Sequence, residues 1–219
     1  MTRGKFEQMI QPIYISISNM LSGDIEGGKS AALRIVRECL ENGLCDEELR
    51  GQLLSLIDNF LMFAKGERSY ENLLNYLKSS FYTYRKDLHG LLLLLVREIC
   101  DERAVGMMKK WASDREPSVR IGSIKCLLKL YEEGKLGLDQ LEEFMTDPSP
   151  KVREALVSSL QRYCSTNKAE VRSFLSRMLA IERRSSIRTK IITALSETIE
   201  EKKHKEKRKG WIRRLFRGR

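Results

Sequence analysis

Gly23-Asp-Ile-Glu-Gly-Gly-Lys29-Ser30 spells the G-x-x-x-x-G-K-S formula of a phosphate-binding loop. In such a loop, backbone N–H groups and the lysine surround nucleotide phosphates where a strand of a parallel sheet runs into a helix. Ile13-Tyr-Ile-Ser-Ile-Ser18, just upstream, alternates apolar and polar residues as a strand does. The chain offers no parallel sheet around it, however, and Asp24 and Glu26 would place two negative charges beside the phosphates. The expectation is a helix-to-helix turn with Lys29 exposed and no bound nucleotide.

Other chemistry-bearing residues are scattered. Cysteines stand at 39, 45, 100, 126 and 164 with no C-x-x-C pair, and the only histidines are His89 and His204. That spacing supplies no zinc set, so the cysteines read as small buried apolar residues suited to a reducing compartment. No nucleophile–base pair or carboxylate dyad emerges from spacing either. The chain is therefore expected to be non-enzymatic, with no catalytic residue, cofactor, metal or small-molecule substrate. Tyr70, Tyr76, Phe81, Tyr82 and Tyr84 crowd together and could hold a peptide or stack bases. Because Tyr76 and Tyr84 fall on apolar helical positions, core packing with phenol groups at the rim is the preferred reading.

The elements behind these residues declare themselves through arginine. At Leu49, Tyr84, Val119, Val152 and Ile187 an apolar residue is followed at once by Arg50, Arg85, Arg120, Arg153 and Arg188, at intervals of 35, 35, 33 and 35 residues. Apolar residues recur four, eight and eleven positions after each marker, as in Leu53, Ile57 and Phe60 or Leu156, Leu160 and Tyr163. These are helical intervals, broken only by Ser123 and Thr198. A period of this size signifies a unit that must stack on its neighbours to bury its apolar face. The predicted fold is all-α, an α-solenoid of about five helix pairs over residues 1–200 with an extra N-terminal helix near 4–21. The pairs are expected at 29–41 with 46–65, 70–79 with 83–99, 103–112 with 117–133, 138–146 with 150–164, and 168–180 with 185–200.

Asp114-Arg-Glu-Pro117-Ser-Val119-Arg120 and Asp147-Pro-Ser-Pro150-Lys-Val152-Arg153 resemble the turn and second-helix start of HEAT repeats. The resemblance covers about residues 29–200, and it is strongest from Asp114 to Leu160. It implies a ladder in which a turn acid and an arginine six residues later link adjacent repeats. Asp114 with Arg120, Asp147 with Arg153 and Glu182 with Arg188 keep that spacing, whereas Leu44 and Ser79 occupy the acidic position earlier. It further implies that Lys125, Lys129, Arg162 and Lys190 are candidates for a concave face. An enzymatic alternative carried by the same resemblance is a HEAT-like glycosylase of the DNA-alkylation-repair kind, for which Trp111 and Asp114 are the relevant residues.

The formal charge of +10 is unevenly spread: residues 1–160 sum to −2, residues 161–200 to +4 and residues 201–219 to +8. A nucleic-acid-gripping body would carry a basic stripe across many repeats. Here the charge gathers in a tail, with Lys202, Lys203, Lys205, Lys207, Arg208 and Lys209 leading into Trp211, Ile212, Arg213, Arg214, Leu215, Phe216 and Arg217. At about 100° per residue the four apolar members fall within about 140° and the three arginines opposite them. Such a basic amphipathic helix can lie in the interface of an anionic membrane. Nucleic acid is the alternative partner of the tail, and capping of the last repeat a third possibility; the body is expected to bind a protein. The opening residues show no secretory signal, and the longest apolar run, Leu91–Val96, falls far short of the roughly 20 residues needed to span a bilayer. The expected location is cytoplasmic, or peripheral to the inner face of the membrane.

Overall fold

A computed structural model of the chain describes residues 3–164 and 169–196, with side chains from Met9 onward. Among the described residues all regular structure is helical and no strand occurs. The chain divides into two units, Met1–Cys100 and Asp101–Arg219.

The first unit contains α1 (Arg3–Leu21), α2 (Ile25–Glu41), α3 (Glu47–Ala64), α4 (Tyr70–Thr83), a 3-10 turn (Lys86–Leu88) and α5 (His89–Ile99). Local chemistry fixes the helix starts. Asp24, Asp46 and Ser69 each accept the backbone N–H three residues on, from Gly27, Leu49 and Asn72, at 3.1, 2.9 and 3.2 Å. These side chains satisfy donors that a helix start otherwise leaves unpaired. At the end of α2, Asn42 is the C-cap and Gly43 follows with φ +62°, the left-handed conformation that glycine adopts without penalty. The four- and eleven-residue intervals place Leu49, Leu53, Ile57 and Phe60 of α3 on one fully buried face. Ile13 and Ile17 of the strand-like alternation are instead core residues of α1, while Ile15 between them is exposed.

The second unit contains a 3-10 turn (Glu102–Ala104), α6 (Val105–Ala112), α7 (Pro117–Glu132), a long 3-10 segment (Leu138–Thr146), α8 (Pro150–Cys164), α9 (Ala169–Ile181) and a helix over 185–196, termed α10. Pro117 and Pro150 open α7 and α8, where the missing N–H costs nothing. Ser123, the exception at the apolar +4 position, is fully buried, and its hydroxyl donates to the Met108 carbonyl of α6 at 2.8 Å. The polar group is thus satisfied within the core.

Several boundaries differ from expectation: α2 begins at Ile25 rather than at 29, and α4 runs on to Thr83 rather than ending at 79. Residues 138–146 form a 3-10 segment because Leu138, Leu141 and Phe144, all buried, recur every three residues, the spacing at which 3-10 side chains align. The predicted helix 83–99 begins only at His89. Tyr84 and Arg85 are extended, the Arg85 N–H donating to Gln52 Oε1 at 3.1 Å rather than to a preceding turn. The first residues of 103–112 are likewise a 3-10 turn rather than α-helix.

Candidate interaction surface

In the second unit the turns preceding α7, α8 and α10 share one wiring. Each turn acid first fixes its own backbone: Asp114 Oδ1 accepts the Glu116 N–H at 3.0 Å, Asp147 Oδ1 that of Ser149 at 2.7 Å, and Glu182 Oε1 that of Arg184 at 2.8 Å. The arginine six residues later then returns to the carbonyl of the same acid. Arg120, Arg153 and Arg188 donate through Nη1 to the carbonyls of Asp114, Asp147 and Glu182 at 2.6, 2.7 and 2.8 Å. The remaining guanidinium edge reaches one turn ahead. Arg120 grips Asp147 through Nε and Nη2 at 2.7 and 2.8 Å, and Arg153 grips Glu182 through the same nitrogens at 2.7 and 3.1 Å.

Both forks are bidentate and charge-assisted, the geometry that suits guanidinium best. The Arg120 and Asp147 side chains are only 9% and 5% exposed, and those of Arg153 and Glu182 16% and 1%. Hydrogen bonding to Asp147 and to Glu182 holds the two guanidinium groups above their usual pKa. The bond from Arg153 in turn holds the Glu182 carboxyl below the usual carboxylate range, against the opposing effect of burial. Two open grooves of about 350 and 320 Å³ lie along this edge, one beside Arg153, Ile181 and Glu182 and the other beside Asp114, Arg120 and Glu143. Burial pushes the Glu143 carboxyl up, with Lys109 acting in the other direction.

Three of the four cations assigned to a concave face are drawn into links between helices about one repeat apart. Lys125 of α7 donates to Ser159 of α8 at 2.8 Å, Arg162 of α8 pairs with Glu132 of α7, and Lys190 of α10 pairs with Glu154 of α8. Arg162 also stacks over the Tyr163 ring, 4.9 Å from its centroid. Lys129 is half-buried on the same helix as Lys125. Sequence reasoning missed Glu132, Glu154 and Ser159 as the partners. Their signal was a polar residue of complementary character about one repeat away, since these contacts span 30, 36 and 34 residues. Arg177 and Glu142 repeat the pattern across 35 residues at 2.7 Å.

Among the described residues of the first unit this wiring does not recur. Arg50 pairs within its own helix with Glu47 at 2.9 Å. Arg85 reaches backward to Asp46 at 2.6 Å and sideways to Asp87 at 3.1 Å. Hydroxyl groups tie its helices instead. Tyr14 and Ser18 of α1 donate to the two oxygens of Glu98 on α5 at 2.5 and 2.9 Å, and burial together with that bond pushes the Tyr14 phenol up to about 12. In the aromatic cluster, Tyr76 and Tyr84 share a hydrogen bond between their hydroxyls and meet edge to face at 6.3 Å. Tyr76 also contacts Ser55 Oγ at 3.2 Å, Tyr70 donates to the Ile99 carbonyl at 3.1 Å, Phe81 is buried and Tyr82 is exposed.

The phosphate-loop string has a structural explanation. Asp24 is the N-cap of α2, its carboxylate occupying the space in which a Cβ on Gly27 would lie 2.4 Å away. Gly28 is buried against α1, where a Cβ would come within 2.5 Å of the Ser16 carbonyl oxygen and 2.9 Å of the Met20 nitrogen. The two glycines thus serve a cap and a close helix crossing. Lys29 is half-buried rather than exposed. An open groove of about 500 Å³ beside α1 and α2 is lined, among the described residues, by Met9, Pro12, Ile35, Cys39 and Leu44 together with the charged Glu38.

Trp111, the indole singled out for the glycosylase reading, is 1% exposed in the core of the second unit. No group of three metal-ligating side chains occurs among the described residues, and Cys39 and Cys45 are buried free thiols. Among the described residues no helix is long and apolar enough to cross a membrane. The docking residues of the tail, Lys202 to Arg217, lie outside the described residues. Comparison with known protein families, curated proteins and solved structures finds no match to this chain.

Proposed function

We propose that residues 1–200 form a HEAT-like α-solenoid that binds a protein partner without catalysis, and that residues 201–219 dock it on an anionic membrane surface. The observation that carries the docking is the sequence of the tail, where ten basic residues against two acidic ones flank an apolar set of Trp211, Ile212, Leu215 and Phe216. Each basic residue near an anionic surface adds about 1 kcal/mol of attraction, and the aromatic side chains add interfacial burial. Support for the solenoid comes from the wiring shared by the turns at Asp114, Asp147 and Glu182, which links successive helical layers at one repeat spacing. A stack of this kind adds recognition area with each repeat and needs no new core.

The test compares the intact chain with one ending at Glu200 on phosphatidylserine-containing vesicles, neutral vesicles and duplex DNA in a single buffer. The account predicts a large gain from the tail on anionic vesicles, with a blue shift of tryptophan emission that Trp211→Ser with Phe216→Ser removes. A gain on DNA with none on vesicles would replace the membrane by nucleic acid.

A further inference from the structure

The last turn of the second unit is wired like the two before it, except at one edge. Arg188 Nη1 donates to the Glu182 carbonyl and to the Leu179 carbonyl, both at 2.8 Å, so its guanidinium is held in place as those of Arg120 and Arg153 are. In those two arginines Nε and Nη2 grip the acid of the next turn, 27 and 29 residues on. The Arg188 Nε and Nη2 have no partner among the described residues, and the side chain is exposed. The chain's own spacing supplies no acid for them. Residues 215–217, at the corresponding distance, are Leu215, Phe216 and Arg217.

We propose that Arg188 is an open rung, a receptor for the carboxylate of an acidic partner polypeptide. The geometry favours a turn-borne Asp or Glu over a lipid phosphate. Both filled rungs hold such a carboxylate, one oxygen of which is also fixed by the backbone N–H two residues further on. The surroundings match an acidic and partly apolar partner. Arg183 and Arg184 of the same turn are exposed, and Ile192, one helical turn beyond Arg188, is 51% exposed. Because the Nη1 bonds hold the guanidinium, the incoming carboxylate meets a fork that has already lost much of its rotamer freedom. This site is independent of the membrane reading of the tail.

The probe is a peptide copying residues 135–151, which carries Asp147 in its own turn and bears four acidic residues against two lysines. Nitrogen-15 NMR of the full chain follows the Arg188 Nε–H signal during titration. Saturable movement of that signal is expected, and Asp147→Asn in the peptide weakens binding about tenfold, the scale of one charge-assisted bond. Arg188→Lys in the protein, which keeps the charge and loses the fork, weakens it similarly. A thermal melt establishes that this variant is folded, and the peptide variant tests the same contact with the protein unaltered. Trp211→Ser with Phe216→Ser leaves peptide binding unchanged, so a failed membrane test does not touch this result. Equal binding of both peptides would overturn the proposal in favour of diffuse charge attraction. Movement of the Arg188 signal by phosphatidylserine vesicles, with none by the peptide, would overturn it in favour of a lipid phosphate.

Discussion

Arg120 in the second unit and Arg85 in the first occupy the same place in the 35-residue register, yet they are bound differently. Arg120 and its partner Asp147 are almost wholly buried, and every polar edge of the guanidinium is used. Arg85 sits 31% exposed between Asp46 and Asp87, with Asp46 itself 61% exposed. The arginine alone does not create the buried link. It needs an acid six positions earlier to shape its own turn, and the next turn must present another. Asp114 and Asp147 meet both conditions, whereas Leu44 and Ser79 stand at the acidic positions of the first unit. There the helices are tied by phenol and serine hydroxyls on Glu98, and by the close approach that Gly28 permits.

This comparison ranks the consequences of substitution. Arg120→Ala leaves the buried Asp147 carboxylate without its cation, and it is expected to cost about 3 kcal/mol, read as a drop in melting temperature. Arg153→Ala follows closely, since Glu182 is similarly enclosed. A loss in the second unit no greater than for a surface arginine would break the comparison. Gly28→Leu in the first unit forces a side chain into α1 backbone and is expected to cost about 2 kcal/mol by overpacking. Glu98→Ala removes two hydroxyl acceptors and is expected to cost about 1–2 kcal/mol, seen in denaturant midpoints. Arg85→Ala should leave the melting temperature essentially unchanged, because exposed ion pairs contribute little.

Acid titration sharpens the same contrast. Glu182 has its folded pKa lowered by Arg153, so its contribution is complete above the ordinary carboxylate value and is lost as pH falls through the lower folded value. Melting temperature should therefore decline below about pH 4, and Glu182→Gln should flatten that part of the profile while lowering stability at neutral pH. An unchanged acid limb in the Glu182→Gln variant would remove this carboxylate from the account.

Much of the helical content was legible because the 4-, 8- and 11-residue intervals directly report a buried helix face, as Leu49, Leu53, Ile57 and Phe60 illustrate. The turn acids were legible for a similar reason, each being tied to an arginine at fixed spacing. The 138–146 segment was misread because three apolar residues three apart also fit a short α-helix, and only packing selects the tighter form. Glu98 left no local signal, since its partners Tyr14 and Ser18 lie 84 and 80 residues away. Lys125, Arg162 and Lys190 looked available for binding because their partners sit about one repeat away, beyond the reach of any window along a single helix. The string at 23–30 reads as a helix-to-helix turn, and its glycines answer to a cap and a helix crossing; only the exposure expected of Lys29 fails, the side chain being half-buried.

The most direct measurement is a pair of double-mutant cycles on thermal or denaturant stability. One uses Arg120→Ala and Asp147→Ala in the second unit, the other Arg85→Ala and Asp46→Ala in the first. The account predicts a coupling of about 2 kcal/mol for Arg120 with Asp147, as expected for residues sharing one buried network, and none measurable for Arg85 with Asp46. Equal couplings in the two cycles, or the larger one in the first unit, would contradict it.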